Sequence, residues 1–169
     1  MNNVKLYNVI FPIWLIIFVP PILFISILGN FLIDSAILIL GFKIFNGYDA
    51  TNLSTKQFYK MTILKVWILG FLADSLGVIP LMVSTWAILP VFEVPNEVIH
   101  AISYNPFSNI WGFVIVLLSI FIAGILIYVF NYKISFKYIQ DKTLKFKFAV
   151  ILAIVTAPWT LLVPTELFV

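Results

Sequence analysis

Cysteine and arginine are both absent from this chain of 169 residues, and histidine occurs once. Without cysteine there is no disulfide framework, no thiolate nucleophile and no zinc–thiolate site. The lone His100 excludes a multi-histidine metal site within one chain. Without arginine, no guanidinium can hold a phosphate or carboxylate in bidentate fashion. Glycine-rich phosphate loops and GxSxG elbows are missing as well, so we expect no enzymatic activity and no cofactor.

Charge is also scarce. Only 10% of the residues are charged, while 63% are hydrophobic and 17% aromatic. Average soluble domains are about 25% charged and about 45–50% apolar. A domain of this length has too much surface to keep so many apolar residues from water. The composition therefore predicts an integral membrane protein whose main partner is the lipid bilayer. We expect no nucleic-acid partner, because the basic residues flank apolar tracts.

The apolar tracts predict the number of membrane spans. A span needs about 20 apolar residues, so the tract over residues 9–45 is too long for one helix. Pro20 and Pro21 mark a turn within it, because proline interrupts helical hydrogen bonding. We expect a single transmembrane domain, an all-α polytopic helix bundle of about five spans. A re-entrant segment over residues 6–19 followed by four spans is the alternative. The predicted spans are residues 6–19, 22–45, 61–90, 110–130 and 148–168.

Lysine supplies all the positive side-chain charge, and its positions indicate orientation. Loops that carry lysine face the cytoplasm under the positive-inside rule. With five spans and a cytoplasmic N-terminus, every lysine falls on the cytoplasmic side, so we expect the C-terminus outside. Between residues 131 and 148 lysine alternates with aromatics, the pattern of an orientation signal or of a surface for anionic headgroups. The lysines are Lys5, Lys43, Lys56, Lys60, Lys65, Lys133, Lys137, Lys142, Lys145 and Lys147.

Two carboxylates lie inside predicted spans. Asp34 is roughly 16 Å from the cytoplasmic end of its span and Asp74 roughly 20 Å, at 1.5 Å per residue. We therefore expect both near the membrane midplane, at similar depth and facing each other. A carboxylate there costs at least about 2.5–3.5 kcal/mol, so it should contact protein, water, a cation or a proton instead of lipid. The candidate ion- or substrate-binding residues are Asp34, Asp74, Ser35, Ser75 and Asn30.

The segments around the two aspartates match. Residues 31–35 (FLIDS) and 71–75 (FLADS) differ only at the middle position, and they run in opposite directions through the predicted membrane. Related segments of opposite direction are typical of secondary transporters. The leading hypothesis is a small cation- or proton-linked channel or transporter, or a subunit of one, which forms a homo-oligomer or has a membrane partner. The alternative is a non-catalytic interaction protein, such as an immunity, accessory or assembly factor, whose aspartates only fix helix packing.

One further polar group has helical spacing. Glu93, Glu97 and His100 stand at i, i+4 and i+7, and a Glu-x-x-His step is a ligand spacing of di-metal bundles. Pro95 opposes a helix continuous from Glu93, and a single such step would leave a metal under-coordinated. We expect a solvated face on a short outer interfacial helix and no metal site.

Several short segments carry a resemblance over most of the chain. They are residues 11–14 (FPIW), 30–35 (NFLIDS), 65–77 (KVWILGFLADSLG), 105–107 (NPF), 130–133 (FNYK), 156–159 (TAPW) and 164–165 (PT). In these segments the chain resembles a family of small, uncharacterised polytopic membrane proteins of clostridia and related Gram-positive bacteria. The resemblance implies a helical protein of the bacterial cell (inner) membrane. It implies no activity, substrate or catalytic residue.

Overall fold

The computed structural model describes residues 20–88, 91 and 94–165. In this part of the chain every regular element is helical, which confirms the predicted all-α bundle. π-Helical turns cover Ser84–Ile88 and Asn131–Ser135, each directly after a long α-helix. Short 3₁₀ turns cover Pro106–Ser108 and Trp159–Leu162. The helices are α1 (Pro20–Ile44), α2 (Gly47–Thr51), α3 (Thr55–Val83), α4 (Asn96–Ser103), α5 (Ile110–Phe130) and α6 (Lys142–Val155).

Four of these helices are long and apolar enough to cross a membrane. Helical backbone satisfies its own hydrogen bonds, which is the requirement for crossing hydrocarbon. The expected first span at residues 6–19, and its re-entrant alternative, lie outside the described residues. The candidate spans are Ile27–Ile44, Thr55–Trp86, Ile110–Ser135 and Lys142–Leu162.

Polar residues in the connections determine where the spans begin. Ser54 and Gln57 form a capping box, in which each side chain accepts a hydrogen bond from the backbone N–H of the other residue. Asn109 caps α5 and Asp141 caps α6. Each side chain accepts hydrogen bonds from two backbone N–H groups of the first turn. These caps satisfy N–H groups that would have no partner inside the helix.

Consecutive spans are antiparallel neighbours: α3 packs on α1 and on α5, and α5 packs on α6. At one end of the bundle an aromatic cluster joins all four. The Phe58 ring lies 4.4 Å from that of Phe42 and 5.2 Å from that of Phe148, and Phe136 lies 5.4 Å from Phe148. Such ring pairs contribute about 0.5–1.5 kcal/mol each beyond their burial. The cluster, defined by these four phenylalanines, fixes the α1–α3 and α5–α6 connections at the same end.

Every lysine of the described residues except Lys65, which is on the third turn of α3, lies in or beside those two connections. Lys43 is in the last turn of α1, and Lys56 and Lys60 are in the first turns of α3. Others follow α5 or begin α6. Positive charge is thus concentrated at the end of the bundle that the aromatic cluster closes. The opposite end carries α4, which packs on α5 so tightly that a Cβ added to Gly112 would lie 2.3 Å from that of Ala101.

Candidate functional site

Both intramembrane aspartates face the interior of the bundle. Asp34 on α1 is 3% exposed and Asp74 on α3 is 5% exposed. The neighbouring positions Leu32 and Leu72 are 66% and 46% exposed and point outward instead. The helix surface therefore alternates between lipid-facing leucine and inward-facing carboxyl in both segments.

The two matching segments also share their local hydrogen bonding. The Ser35 hydroxyl donates to the Phe31 carbonyl at 2.7 Å, and the Ser75 hydroxyl donates to the Phe71 carbonyl at 2.9 Å. Ser35 also meets the Tyr59 hydroxyl at 2.9 Å, which links α1 to α3. The Ser75 hydroxyl is thus engaged by its own helix, and the Ser35 hydroxyl by its own helix and by Tyr59.

Asn30, the remaining candidate, is half-buried one helical turn before Asp34. Residues four apart lie on the same face of a helix, so Asn30 shares the inward face with Asp34. It extends the polar part of α1 away from the aromatic cluster.

The carboxyl groups are not at equal depth. The contact between Phe42 and Phe58 sets those two residues level across α1 and α3. Asp34 then lies about 12 Å along α1 from this level and Asp74 about 24 Å along α3, at 1.5 Å per residue. The expected equality was wrong because α3 begins at Thr55, six residues before the apolar tract from which its depth was counted.

The offset is partly closed by side-chain direction. Side chains of a helix tilt toward its N-terminus. In this antiparallel pair Asp34 therefore leans away from the aromatic cluster, and Asp74 leans toward it, so the carboxyl groups approach each other along the bundle axis. The arrangement is a staggered pair.

Asp74 has an incomplete hydrogen-bond set. Its Oδ1 atom is buried and has no partner among the described residues. A polar group buried without a hydrogen bond costs about 1–3 kcal/mol in protein interiors, and most such groups in native structures have a partner. An oxygen of this kind inside a membrane span is a position where a proton or a cation would be stabilising.

A polar column on α5 faces the same core. Five residues at four-residue spacing are each at most 2% exposed, and three of them are polar. Ser119 Oγ, Asn131 Oδ1 and Ser135 Oγ are buried without a partner in the described chain. The Asn131 amide donates to the Ile127 carbonyl at 2.9 Å, which directs its oxygen elsewhere. The column consists of Ser119, Ala123, Ile127, Asn131 and Ser135.

The register of α3 against α5 sets Asp74 beside this column. Gly77 contacts Ala123, and the Thr62 hydroxyl is hydrogen-bonded to the Tyr138 hydroxyl. Continued between these two contacts, the antiparallel register aligns Asp74 with Leu126, which is next to Ile127 of the column. Two residues with unpartnered oxygens, Asp74 and Asn131, therefore lie roughly 7.5 Å apart along the bundle axis, at 1.5 Å per residue.

A cavity lies near the lysine-rich end of the bundle, and none of its lining residues belongs to the column. Tyr138 lines a space of about 320 Å³ under the α1–α3 connection, together with the polar residues Thr51, Asn52 and Gln140. Burial raises the pKa of the Tyr138 phenol, and its hydrogen bond with Thr62 opposes that shift. Tyr138 thus lines the cavity, and its hydroxyl is hydrogen-bonded to the buried Thr62 hydroxyl.

Two of the three residues of the outer polar group are described. Glu97 and His100 are exposed on α4, which begins directly after Pro95, while Glu93 is outside the described residues. Among the described positions no three His, Asp or Glu side chains come together as potential ligands.

Four apolar spans and a buried polar core define the class: the protein is a helical membrane protein. Comparison of the chain with family models, curated proteins and solved structures finds no match. Its function is therefore argued from its own residues.

Proposed function

We propose that the chain binds a proton or a small cation at Asp74 and passes it through the core of the bundle, as a small channel or transporter or as a subunit of one. The observation that carries this proposal is the buried, unpartnered carboxyl oxygen of Asp74. A structural aspartate would be expected to use both oxygens in hydrogen bonds, because nothing else offsets the loss of water. A carboxyl group that receives a mobile ion needs one oxygen free.

The polar column on α5 supports a route to that carboxyl. From the lysine-rich end, an ion would pass the cavity at Tyr138 and then the buried Ser135 and Asn131 before it reaches Asp74. Hydroxyl and amide oxygens can relay a proton through water or coordinate a cation weakly enough to release it. Ser119 continues the column beyond Asp74 by about two helical turns.

Asp34 provides a second carboxyl group that can bind the ion or proton. It is as deeply buried as Asp74 but lies about 12 Å nearer the aromatic cluster along the bundle axis. Two interacting carboxyl groups do not ionise independently, so an ion or proton held by one weakens its retention by the other. This stagger favours transfer in steps over a single site shared by both carboxyl groups.

The orientation follows from the lysines. We place the lysine-rich end in the cytoplasm, because loops rich in lysine are retained there. The cavity at Tyr138 is then the cytoplasmic mouth of the route. We keep the bacterial cell membrane as the location, a cytoplasmic N-terminus and an assembly of several copies as parts of the proposal.

A packing function is the second candidate, and specific contacts favour it. Ser35 bonds Tyr59 across α1 and α3, and the Trp67 indole donates to the Ile27 carbonyl at 3.0 Å. Interhelical hydrogen bonds of this kind hold membrane bundles together. In this reading the chain is a non-catalytic interaction protein, and its polar core sets helix register.

Flux through proteoliposomes separates the two functions. The full chain is reconstituted into liposomes with a pH-sensitive dye inside, and a membrane potential is imposed by potassium and valinomycin. Proton entry is expected for the wild type and not for Asp74→Asn, which keeps the shape of the side chain but removes its charge. Parallel assays with internal sodium or potassium dyes test the cation form of the proposal.

Asp49→Asn is the matched control, because it makes the same chemical change on an exposed carboxylate of α2. It should retain wild-type flux. Wild-type vesicles no more permeable than empty ones to protons, sodium or potassium would exclude the transport function. So would an Asp74→Asn protein with undiminished flux.

A further inference from the structure

A groove runs along the outer face of α5 and α6, away from the buried polar column. It encloses about 360 Å³, near the lower limit of ligand pockets, and its lining is almost wholly apolar. Gly124 and Ala153 are the half-buried residues at its base, where a Cβ added to Gly124 would meet the Ala153 carbonyl at 3.5 Å. Ile125 and Ile154 flank it and are each 60% exposed. Small residues on both helices therefore leave a groove that is open to the outside of the bundle.

The groove ends at a cation held over aromatic rings. Tyr128, its lining residue nearest the lysine-rich end, stacks on Tyr132 with ring centroids 5.6 Å apart. The Lys145 ammonium lies 4.4 Å from the Tyr132 ring centroid, and Phe146 contacts Tyr128 edge-on at 6.0 Å. A cation–π contact holds Lys145 at the mouth of the groove. The apolar groove thus has a positively charged ammonium group near one end. The tyrosines beside it are typical of the headgroup region of a membrane.

We propose that this groove binds one acyl chain of an anionic phospholipid, with the lipid phosphate at Lys145. The charge at this end of the bundle is complementary to an anionic headgroup, and Lys142 adds to it within one turn. A second copy of the chain would have to insert a helix about 10 Å across, and the groove is too small for that. A neutral lipid would fill the slot equally well but would leave Lys145 unused.

Native mass spectrometry of the full chain, with phosphatidylglycerol and phosphatidylcholine of identical acyl chains as probes, tests this proposal. The wild type is expected to bind phosphatidylglycerol about fivefold more tightly, because one lysine near the surface contributes about 1 kcal/mol. Lys145→Gln should remove most of this preference. Lys137→Gln is the matched control, since it removes an exposed lysine that does not border the groove.

Gly124→Leu tests the acyl-chain part separately. It should fill the base of the groove and weaken the binding of both lipids. Circular dichroism and size-exclusion profiles establish that the variant is folded. If that variant fails to fold, Ala153→Val fills the same space with less bulk. Equal losses for Lys145→Gln and Lys137→Gln would overturn the proposal, as would a dimer whose crosslinks run through Ile125 and Ile154.

Discussion

Gly77 of α3 lies against Ala123 of α5 so closely that a Cβ built on the glycine would be 2.5 Å from the alanine Cβ and 3.1 Å from its Cα. Helices in membranes associate through such small residues, because lipid supplies no hydrophobic force between them. Asp74 is one turn away on the same helix. The close approach of the two backbones therefore brings the carboxyl group to the polar column of α5.

A larger side chain at Gly77 should push α3 and α5 apart. We expect Gly77→Leu to destabilise the protein by about 1–3 kcal/mol, the usual effect of overpacking. Thermal unfolding in detergent, followed by circular dichroism, measures the change. Gly70→Leu on the same helix is the control, because a Cβ there meets nothing within 4 Å. Equal melting temperatures for the two variants would mean that α3 and α5 do not pack at Gly77.

Asp74→Leu should raise stability while abolishing ion flux. The substitution removes a buried oxygen without a partner, which costs about 1–3 kcal/mol while it is present. The free energy of unfolding in detergent is therefore expected to rise, whereas Asp74→Asn should change it little. A loss of stability in Asp74→Leu would show instead that the carboxyl group holds the bundle together, and would favour the packing function.

Ionisation of the Tyr138 phenol should lower the free energy of unfolding at alkaline pH. Burial raises the pKa of its phenol, so the folded state retains the proton more strongly than the unfolded chain does. The resulting stabilisation is complete below the ordinary tyrosine pKa of about 10 and declines as pH rises through the higher, folded value. The difference in free energy of unfolding between wild type and Tyr138→Phe should therefore shrink as the pH rises above about 10.

Thr62→Val is the control for that experiment. It removes the same interhelical hydrogen bond but keeps the phenol, so the alkaline decline should persist. At neutral pH both variants should lose about 1 kcal/mol, the usual net contribution of one hydrogen bond. An alkaline decline that is equally steep in Tyr138→Phe would assign it to other groups.

The start of α3 depends on its capping box. Ser54→Ala leaves the Gln57 N–H without its side-chain acceptor and should lower the free energy of unfolding by about 1 kcal/mol. Ser54→Asp should retain stability, because aspartate also accepts at this position and its charge favours the helix N-terminus. Equal stability of the Ala variant and wild type would mean that the lipid interface satisfies this turn.

The helical class could be predicted from the apolar tracts, because a helix buried in lipid needs little more than length and hydropathy. Helix starts could not. Ser54 and Gln57 lie in a polar stretch, and the turn they initiate extends α3 six residues beyond its apolar tract. That extension places Asp74 farther from the lysine-rich end of the bundle than a count from Met61 indicates.

The candidate site could be predicted only in part. Asp34 and Asp74 were identifiable because a carboxyl group in an apolar tract is rare and costly. Asn131 and Ser135 were not, since each is an ordinary residue near a span end. Their four-residue spacing from Ser119 was visible in the sequence, but its meaning depends on the contact between Gly77 and Ala123, which unites distant parts of the chain.

The π-helical turn at Asn131–Ser135 has a mechanical consequence for the bundle. Each of its hydrogen bonds spans one residue more than an α-helical bond, so this turn holds slack that the rest of α5 lacks. Tightening it to an α-helical turn would rotate everything that follows by about 100°, the angle per residue of an α-helix. Tyr138 would then leave Thr62 while Gly77 and Ala123 stayed in contact. The π-helical turn therefore sets the angle at which the α5–α6 connection meets α3, independently of the contact between Gly77 and Ala123.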